Sequence, residues 1–143
     1  MRECVRLPPL TDPLRILIVE DDANLATAVE ELLHADGRFL VVGSARSGED
    51  AIALVEQESP DLVLMDIGMP GLNGIDATRA IRARDSGQHV VIYTGSDEYG
   101  DVSRADEAGA AGYLHKRALT SPDLADALLV LHENYVNAVP DPE

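Results

Sequence analysis

Four short runs of apolar residues along the chain each end at a polar residue. Continuous apolar runs of this length are typical of strands that are buried on both faces of a parallel sheet. In an open α/β sheet, ligands bind where the strands end at their carboxyl edge. We therefore expect these polar residues to meet at one edge of a sheet. The runs and the residues after them are 16–19 before Glu20, Asp21 and Asp22, 62–65 before Asp66, 90–93 before Thr94, and 112–115 before Lys116.

Helical patterns alternate with the strand patterns along the chain. Five strand–helix units in one short chain predict an α/β fold, a doubly wound parallel sheet of five strands with helices on both faces. Residues 1–14 hold three prolines and no periodicity, which predicts a flexible N-terminal extension, followed by one domain at 15–136 and a C-terminal tail at 137–143. The predicted strands are 15–19, 39–45, 61–65, 89–94 and 111–115, and the predicted helices are 23–35, 47–59, 75–84, 98–108 and one that begins near 122.

Several residues at the predicted helix ends belong to the types that cap helices. Asp22 and Ser47 precede the first and second helices, where a side-chain oxygen can accept from free backbone N–H groups. Gly37 follows the first helix, where glycine tolerates a left-handed backbone. Ser121 predicts the cap of the last helix, with proline at its first position. The fourth helix is weakly apolar and contains Gly100, so we expect it to be mobile.

The charge of the chain limits its partners. The formal net charge is −15, which disfavours direct binding to nucleic acid or to an anionic membrane, and favours protein partners. The sequence lacks an apolar run long enough to span a membrane and a recognisable signal peptide. A single cysteine, Cys4, cannot form a disulfide framework, so we expect a cytoplasmic location.

The acidic residues after the first and third strands predict a magnesium site. Asp22 has a local role as a helix cap, but capping needs one residue and the segment supplies Glu20, Asp21 and Asp22. Two carboxylates at 4 Å repel by about 4 kcal/mol at an effective dielectric of 20, and a hard cation removes that repulsion. Magnesium suits a site with few carboxylates, a backbone carbonyl and retained waters. Lys116 is the only lysine beside ten arginines, which indicates a position that needs a compact point charge.

Four segments together resemble the receiver domain of two-component response regulators. They are ILIVEDD (16–22), DLVLMDIGMPGLNG (61–74), VVIYTGSD (90–97) and AGAAGYLHK (108–116). The resemblance runs from Arg15 to about Tyr135. It implies a flavodoxin-like (βα)5 fold with strand order 2-1-3-4-5. It also implies a signalling phosphoacceptor that catalyses only its own phosphorylation and slow dephosphorylation, and is not otherwise an enzyme.

The resemblance implies a role for each matched residue. Asp66 would accept a phosphoryl group from a histidine kinase or a phosphotransfer protein. Glu20 and Asp21 would hold Mg2+, together with Asp66 and the backbone carbonyl of Gly68. Thr94 would be a switch hydroxyl and Tyr113 a switch aromatic, through which the domain signals to a downstream protein or output domain. Lys116 would pair with the phosphoryl oxygens.

One position departs from the family pattern, and two others are positions that tune dephosphorylation in the family. Many receivers have proline after the lysine, and Arg117 stands there in this chain. Gly68 and Ser96 lie two residues beyond Asp66 and Thr94, at positions that influence water access and dephosphorylation in the family.

Receivers often dimerise on activation, so a homodimer is one outcome that the resemblance allows. The chain would be either a stand-alone receiver or part of a longer regulator.

Two other classes of function are open to this fold. A phosphorylation-independent binding module, or pseudo-receiver, would keep the fold without the switch, and the departure at Arg117 is its only support. Another enzyme on the same fold is disfavoured by the site. The chain lacks a P-loop motif, its acidic cluster would repel a flavin phosphate, and an aspartate-dependent phosphatase would need a second aspartate where Gly68 stands.

Overall fold

The computed structural model describes residues 12–69, 71–95 and 99–138, with the side chains of 99–102 left undescribed. Within these residues, strands and helices alternate as the sequence predicts. No helix in the described part is both long and apolar enough to cross a membrane. The strands are β1 (Leu14–Val19), β2 (Phe39–Ala45), β3 (Leu62–Asp66), β4 (His89–Thr94) and β5 (Tyr113–His115). The helices are α1 (Ala23–Asp36), α2 (Gly48–Glu58), α3 (Gly74–Arg84), α4 (Tyr99–Ala108) and α5 (Leu124–Ala138), with a 3-10 helix at Lys116–Thr120.

The five strands form one parallel sheet in the order β2-β1-β3-β4-β5. This confirms the predicted fold class and the predicted strand order 2-1-3-4-5. The register brings the ends of the central strands level, since Val19 pairs with Met65 and Asp66 pairs with Tyr93. The polar residues at the carboxyl ends of β1, β3, β4 and β5 therefore share one edge of the sheet.

Alternate residues of each strand pack into two apolar layers on opposite faces of the sheet. Leu17 and Val19 of β1 face the layer that α2, α3 and α4 cover. Ile16 and Ile18 face the layer that α1 and α5 cover. All four side chains are at most 1% exposed. Burying a side chain of this size contributes about 1.5–3 kcal/mol, so the two layers position the strand ends firmly.

The predicted caps of the first two helices are confirmed. The Asp22 side chain accepts from the backbone N–H groups of Asn24 and Leu25. Gly37 ends α1 with φ = 87°, in the left-handed region that glycine adopts without a steric penalty. The Ser47 hydroxyl accepts from the backbone N–H of Asp50 at 3.1 Å.

The structure differs from the sequence prediction near the last strand and helix. β5 begins at Tyr113 and not at residue 111, because Gly112 has φ = 137° and interrupts the extended backbone. The 3-10 helix after it was not predicted. α5 begins at Leu124, because Ser121 forms a turn in which its hydroxyl accepts from the N–H of Asp123 and its carbonyl from that of Leu124.

The two ends of the domain remain predictions. α5 continues through Ala138, so the last helix includes the first two residues of the predicted tail. Most of the N-terminal extension, the rest of the tail and Ser96 lie outside the described residues. The described peptide bonds are all trans, including the one between Lys116 and Arg117.

Candidate functional site

Three carboxylates meet at the carboxyl edge of the sheet. One oxygen from each of Glu20, Asp21 and Asp66 lies within 4.8 Å of the others. Glu20 and Asp66 are 1% and 5% exposed, whereas Asp21 is exposed to solvent. The first two residues follow β1 and Asp66 ends β3, and these strands are neighbours in the sheet. The predicted cluster therefore forms, and it opens to solvent on the side of Asp21.

Asp66 lies in a pocket that disfavours its charge. Burial is the main cause of the rise in the pKa of its carboxyl group, and the nearby charge of Asp21 adds to it. Three groups oppose the rise, and one of them is the Glu20 side chain, which shares a hydrogen bond with Asp66. The Gly68 backbone N–H donates to Asp66 Oδ1 at 3.1 Å, and the positive charge of Lys116 stabilises the carboxylate. The Gly68 N–H therefore contacts Oδ1 of Asp66 and not Oδ2.

Glu20 is held by hydrogen bonds at both carboxylate oxygens. The Asp22 backbone N–H donates to Oε2 at 3.0 Å, and the Tyr93 hydroxyl lies against Oε1. Burial raises the pKa of the Glu20 carboxyl group, while these bonds and Lys116 act in the opposite direction. The Tyr93 hydroxyl is also 3.1 Å from the carbonyl oxygen of Val19. Burial and the neighbouring carboxylates raise the pKa of Tyr93 far above its ordinary value, so the hydroxyl keeps its proton.

Sequence reasoning missed Tyr93 as a residue of this site. By sequence, it belongs to the apolar run of β4. The available signal was a hydroxyl in that run, directly before Thr94 at the strand end. Such a hydroxyl needs a partner when it is buried, and Tyr93 is 1% exposed.

The other three predicted site residues differ in their exposure to solvent and in their position relative to the carboxyl edge of the sheet. Thr94 ends β4, is half-buried and pairs in register with His115. Lys116 is exposed at the start of the 3-10 helix, and its charge acts on both Asp66 and Glu20. Tyr113 is two residues earlier in β5, where it packs against the layer beneath α4. Tyr113 is therefore set back from the carboxylate edge, and burial raises the pKa of its hydroxyl.

The loop after Asp66 leaves space beside it. A Cβ added at Gly68 would have no heavy atom within 4 Å, whereas one at Gly74 would lie 2.1 Å from the Asp66 carbonyl oxygen. Glycine at 74 lets α3 start directly behind the site. A cavity of about 400 Å3 adjoins the loop, and its lining includes Ile67, Gly68, Asn73, Ile75, Asp76, Arg79 and Arg104.

Comparison with known proteins supports one family. The family model described as "Response regulator receiver domain" matches residues 16–129. The chain is 35% identical over 122 residues to the nitrate/nitrite response regulator protein NarL of Escherichia coli K12, covering 85% of this chain and 55% of NarL. It is 39% identical over 113 residues to the transcriptional regulatory protein PdtaR of Mycobacterium tuberculosis, covering 76% of this chain and 54% of PdtaR.

Solved structures agree with this comparison. A two-component response regulator of the LuxR family from Aurantimonas sp. SI85-9A1 has a TM-score of 0.79 and 31% identity, covering 86% of this chain and 87% of that one. The chain belongs to the response regulator receiver family, whose domains are signalling modules of two-component systems. It spans about half the length of the curated relatives it matches.

Proposed function

We propose that this chain is a phosphoacceptor switch that takes a phosphoryl group on Asp66 from a histidine kinase or a phosphotransfer protein. The observation that carries the proposal is the cluster of three carboxylates within 4.8 Å, acted on by the charge of Lys116. Such a cluster is costly for folding alone, because buried like charges repel. The arrangement suits a reaction that brings a cation and a phosphoryl group to this edge.

The donor set fits Mg2+. Glu20, Asp21 and Asp66 offer hard carboxylate oxygens, and the resemblance to receiver domains adds the backbone carbonyl of Gly68 as a fourth ligand. The solvent-exposed side at Asp21 leaves room for the waters that this ion retains. When bound, the ion would neutralise carboxylate charge and polarise phosphoryl oxygens.

Asp66 would act as the nucleophile. Its Oδ2 forms a bond to phosphorus as the P–N bond of a phosphohistidine breaks, and the electron pair of that bond returns to the imidazole nitrogen, which takes up a proton. The Gly68 N–H on Oδ1 fixes the orientation of the carboxylate. Lys116 would stabilise the charge on the phosphoryl oxygens, since phosphoryl transfer depends mainly on positioning and charge neutralisation.

The signal would pass through Thr94 and Tyr113. A phosphoryl group on Asp66 adds about 1.5 to 2 negative charges and new acceptor oxygens. Thr94 ends the neighbouring strand β4, and its hydroxyl would follow those oxygens. Its movement would open space for Tyr113 to turn inward and change the surface formed by α4, β5 and α5. The phosphoryl group shifts this equilibrium only by its differential affinity for the two states.

Intact-mass measurement tests the proposal. The protein is incubated with MgCl2 and a small acyl phosphate, with Asp66→Asn as the test variant and Asp123→Asn, an exposed aspartate before α5, as the matched control. We expect one phosphoryl group on the wild type and on Asp123→Asn, and none on Asp66→Asn or without magnesium. If the wild type binds Mg2+ but gains no mass and no beryllofluoride, the pseudo-receiver function replaces this proposal.

A further inference from the structure

The Tyr93 side chain links two strands that are not neighbours. Tyr93 lies near the end of β4, and β3 separates β4 from β1 in the sheet. Its ring packs in the apolar layer beneath α1 and α5, together with Ile18 and Leu64. The hydroxyl nevertheless reaches the end of β1, where it contacts Glu20 Oε1 and the carbonyl oxygen of Val19.

These contacts fix the orientation of the Glu20 carboxylate. A carboxylate offers about four lone-pair sites on its two oxygens. The Tyr93 hydroxyl occupies one site at Oε1 and the Asp22 backbone N–H occupies one at Oε2. The other lone-pair sites of Glu20 serve its contact with Asp66 and, in the proposed function, the cation beside Asp21 and Asp66. Without the hydroxyl, the carboxylate would lose its hydrogen bond at Oε1 and would be freer to rotate about its last side-chain torsion.

We propose that Tyr93 is a positioning residue for the metal site and acts by orienting Glu20 toward the cation. This inference rests on the proposed function, in which Glu20 is a magnesium ligand. Groups behind metal ligands that orient them by hydrogen bonds typically change metal affinity or activity by 10- to 100-fold when they are removed. A purely structural Tyr93 would affect stability but not the affinity for magnesium.

The test removes only the hydroxyl. Tyr93→Phe keeps the buried ring, and MgCl2 is titrated into the labelled protein while amide NMR shifts report the dissociation constant. We expect the dissociation constant to rise about tenfold. Tyr135→Phe is the matched control, because its hydroxyl also has two hydrogen-bond partners, Arg82 and the Gly87 carbonyl, away from the carboxylates. That control should bind Mg2+ as the wild type does.

A double-mutant cycle shows whether Tyr93 acts through Glu20. In a Glu20→Gln background, the further change Tyr93→Phe should alter the dissociation constant by less than about twofold, because coupled residues are not additive. Equal effects in both backgrounds, or an unchanged constant in Tyr93→Phe, would overturn the inference. A wild type that does not bind Mg2+ would instead reject the proposed function and this inference together.

A second readout does not depend on the variant folding. The Tyr93 hydroxyl proton of the wild-type protein should give an NMR resonance that shifts when MgCl2 is added, because its acceptor would become a metal ligand. An unchanged resonance at magnesium saturation would overturn the inference without any substitution.

Discussion

The imidazole of His89 stacks on the phenol ring of Tyr135 with their centroids 4.1 Å apart and their planes at 3°. His89 begins β4, at the opposite end of that strand from Thr94. Its Nε2 lies 2.8 Å from the carbonyl oxygen of Ala111 and its Nδ1 lies 2.9 Å from Nδ1 of His132. Since a carbonyl oxygen only accepts, neutral His89 carries its proton on Nε2 and accepts from His132.

This cluster predicts loss of stability in acid. Burial is the main cause that lowers the pKa of His89 to about 4, and the charge of Arg82 acts in the same direction. The pKa of His132 is also lowered by burial, although the charge of Asp61 opposes this. Because the unfolded chain binds more protons at His89 between pH 6.5 and about 4, the contribution of His89 to the free energy of unfolding should fall as the pH falls through that window. One such group contributes a slope of at most about 1.4 kcal/mol per pH unit.

Urea unfolding between pH 4.5 and 7.5 measures that slope. His89→Gln should flatten it, whatever its effect on stability at pH 7. His34→Gln changes an exposed histidine on α1 and should keep the wild-type slope. An equal slope in the wild type and His89→Gln would show that His89 is not the group responsible.

Two glycines that follow Asp66 should differ in how well they tolerate alanine. Gly74→Ala places a Cβ 2.1 Å from the Asp66 carbonyl oxygen, so the backbone must shift and stability should fall by about 1–3 kcal/mol or more. Gly68→Ala has open space and should change the free energy of unfolding by less than about 0.5 kcal/mol. Chemical denaturation of both variants tests the pair, and a well-tolerated Gly74→Ala would contradict the packing described.

Adjacent aspartates should separate metal binding from helix capping. Asp21→Asn removes a carboxylate of the cluster and should raise the magnesium dissociation constant by at least about tenfold. Asp22→Asn keeps a good capping residue on α1, so both stability and magnesium affinity should stay near wild type. Calorimetric or NMR titration with MgCl2 distinguishes the two, and equal losses in both variants would indicate a general charge effect.

Without magnesium, Asp66→Asn should be more stable than the wild type. The substitution removes a buried charge whose carboxyl pKa is raised mainly by burial. The gain should be about 1–4 kcal/mol, where the upper value is the repulsion of one carboxylate pair at 4 Å and an effective dielectric of 20. Urea unfolding in EDTA measures it, with Asp123→Asn as the exposed control. A destabilised Asp66→Asn would mean that the attraction of Lys116 for the carboxylate, together with the stronger hydrogen bond that a charged acceptor makes with the Gly68 N–H, outweighs the repulsion and the cost of burial.

Much of the fold was predictable because its signals are local. The predicted strands β1, β3 and β4 matched the observed strands to within one residue at each end, since burial on both faces requires apolar runs. The caps at Asp22 and Ser47 depend only on backbone groups within three residues. The meeting of Glu20 with Asp66 also followed from the pattern, because parallel strands end at a common edge.

The tertiary structure decided the contacts that cross the sheet. Tyr93 and Glu20 are 73 residues apart in sequence, and their contact depends on how far a ring reaches across β3. His89 and Tyr135 meet because α5 packs over the start of β4, which no local pattern specifies. The start of α5 was predicted near residue 122, about two residues too early. The Ser121 hydroxyl and carbonyl accept from the N–H groups of Asp123 and Leu124 in a turn that precedes the helix. The sequence by itself determined the strands and the polar groups at their ends. Three-dimensional packing determined that the Tyr93 hydroxyl contacts Glu20 and that the His89 imidazole stacks on Tyr135. These partners are close in space but far apart in sequence, so no local pattern identifies them.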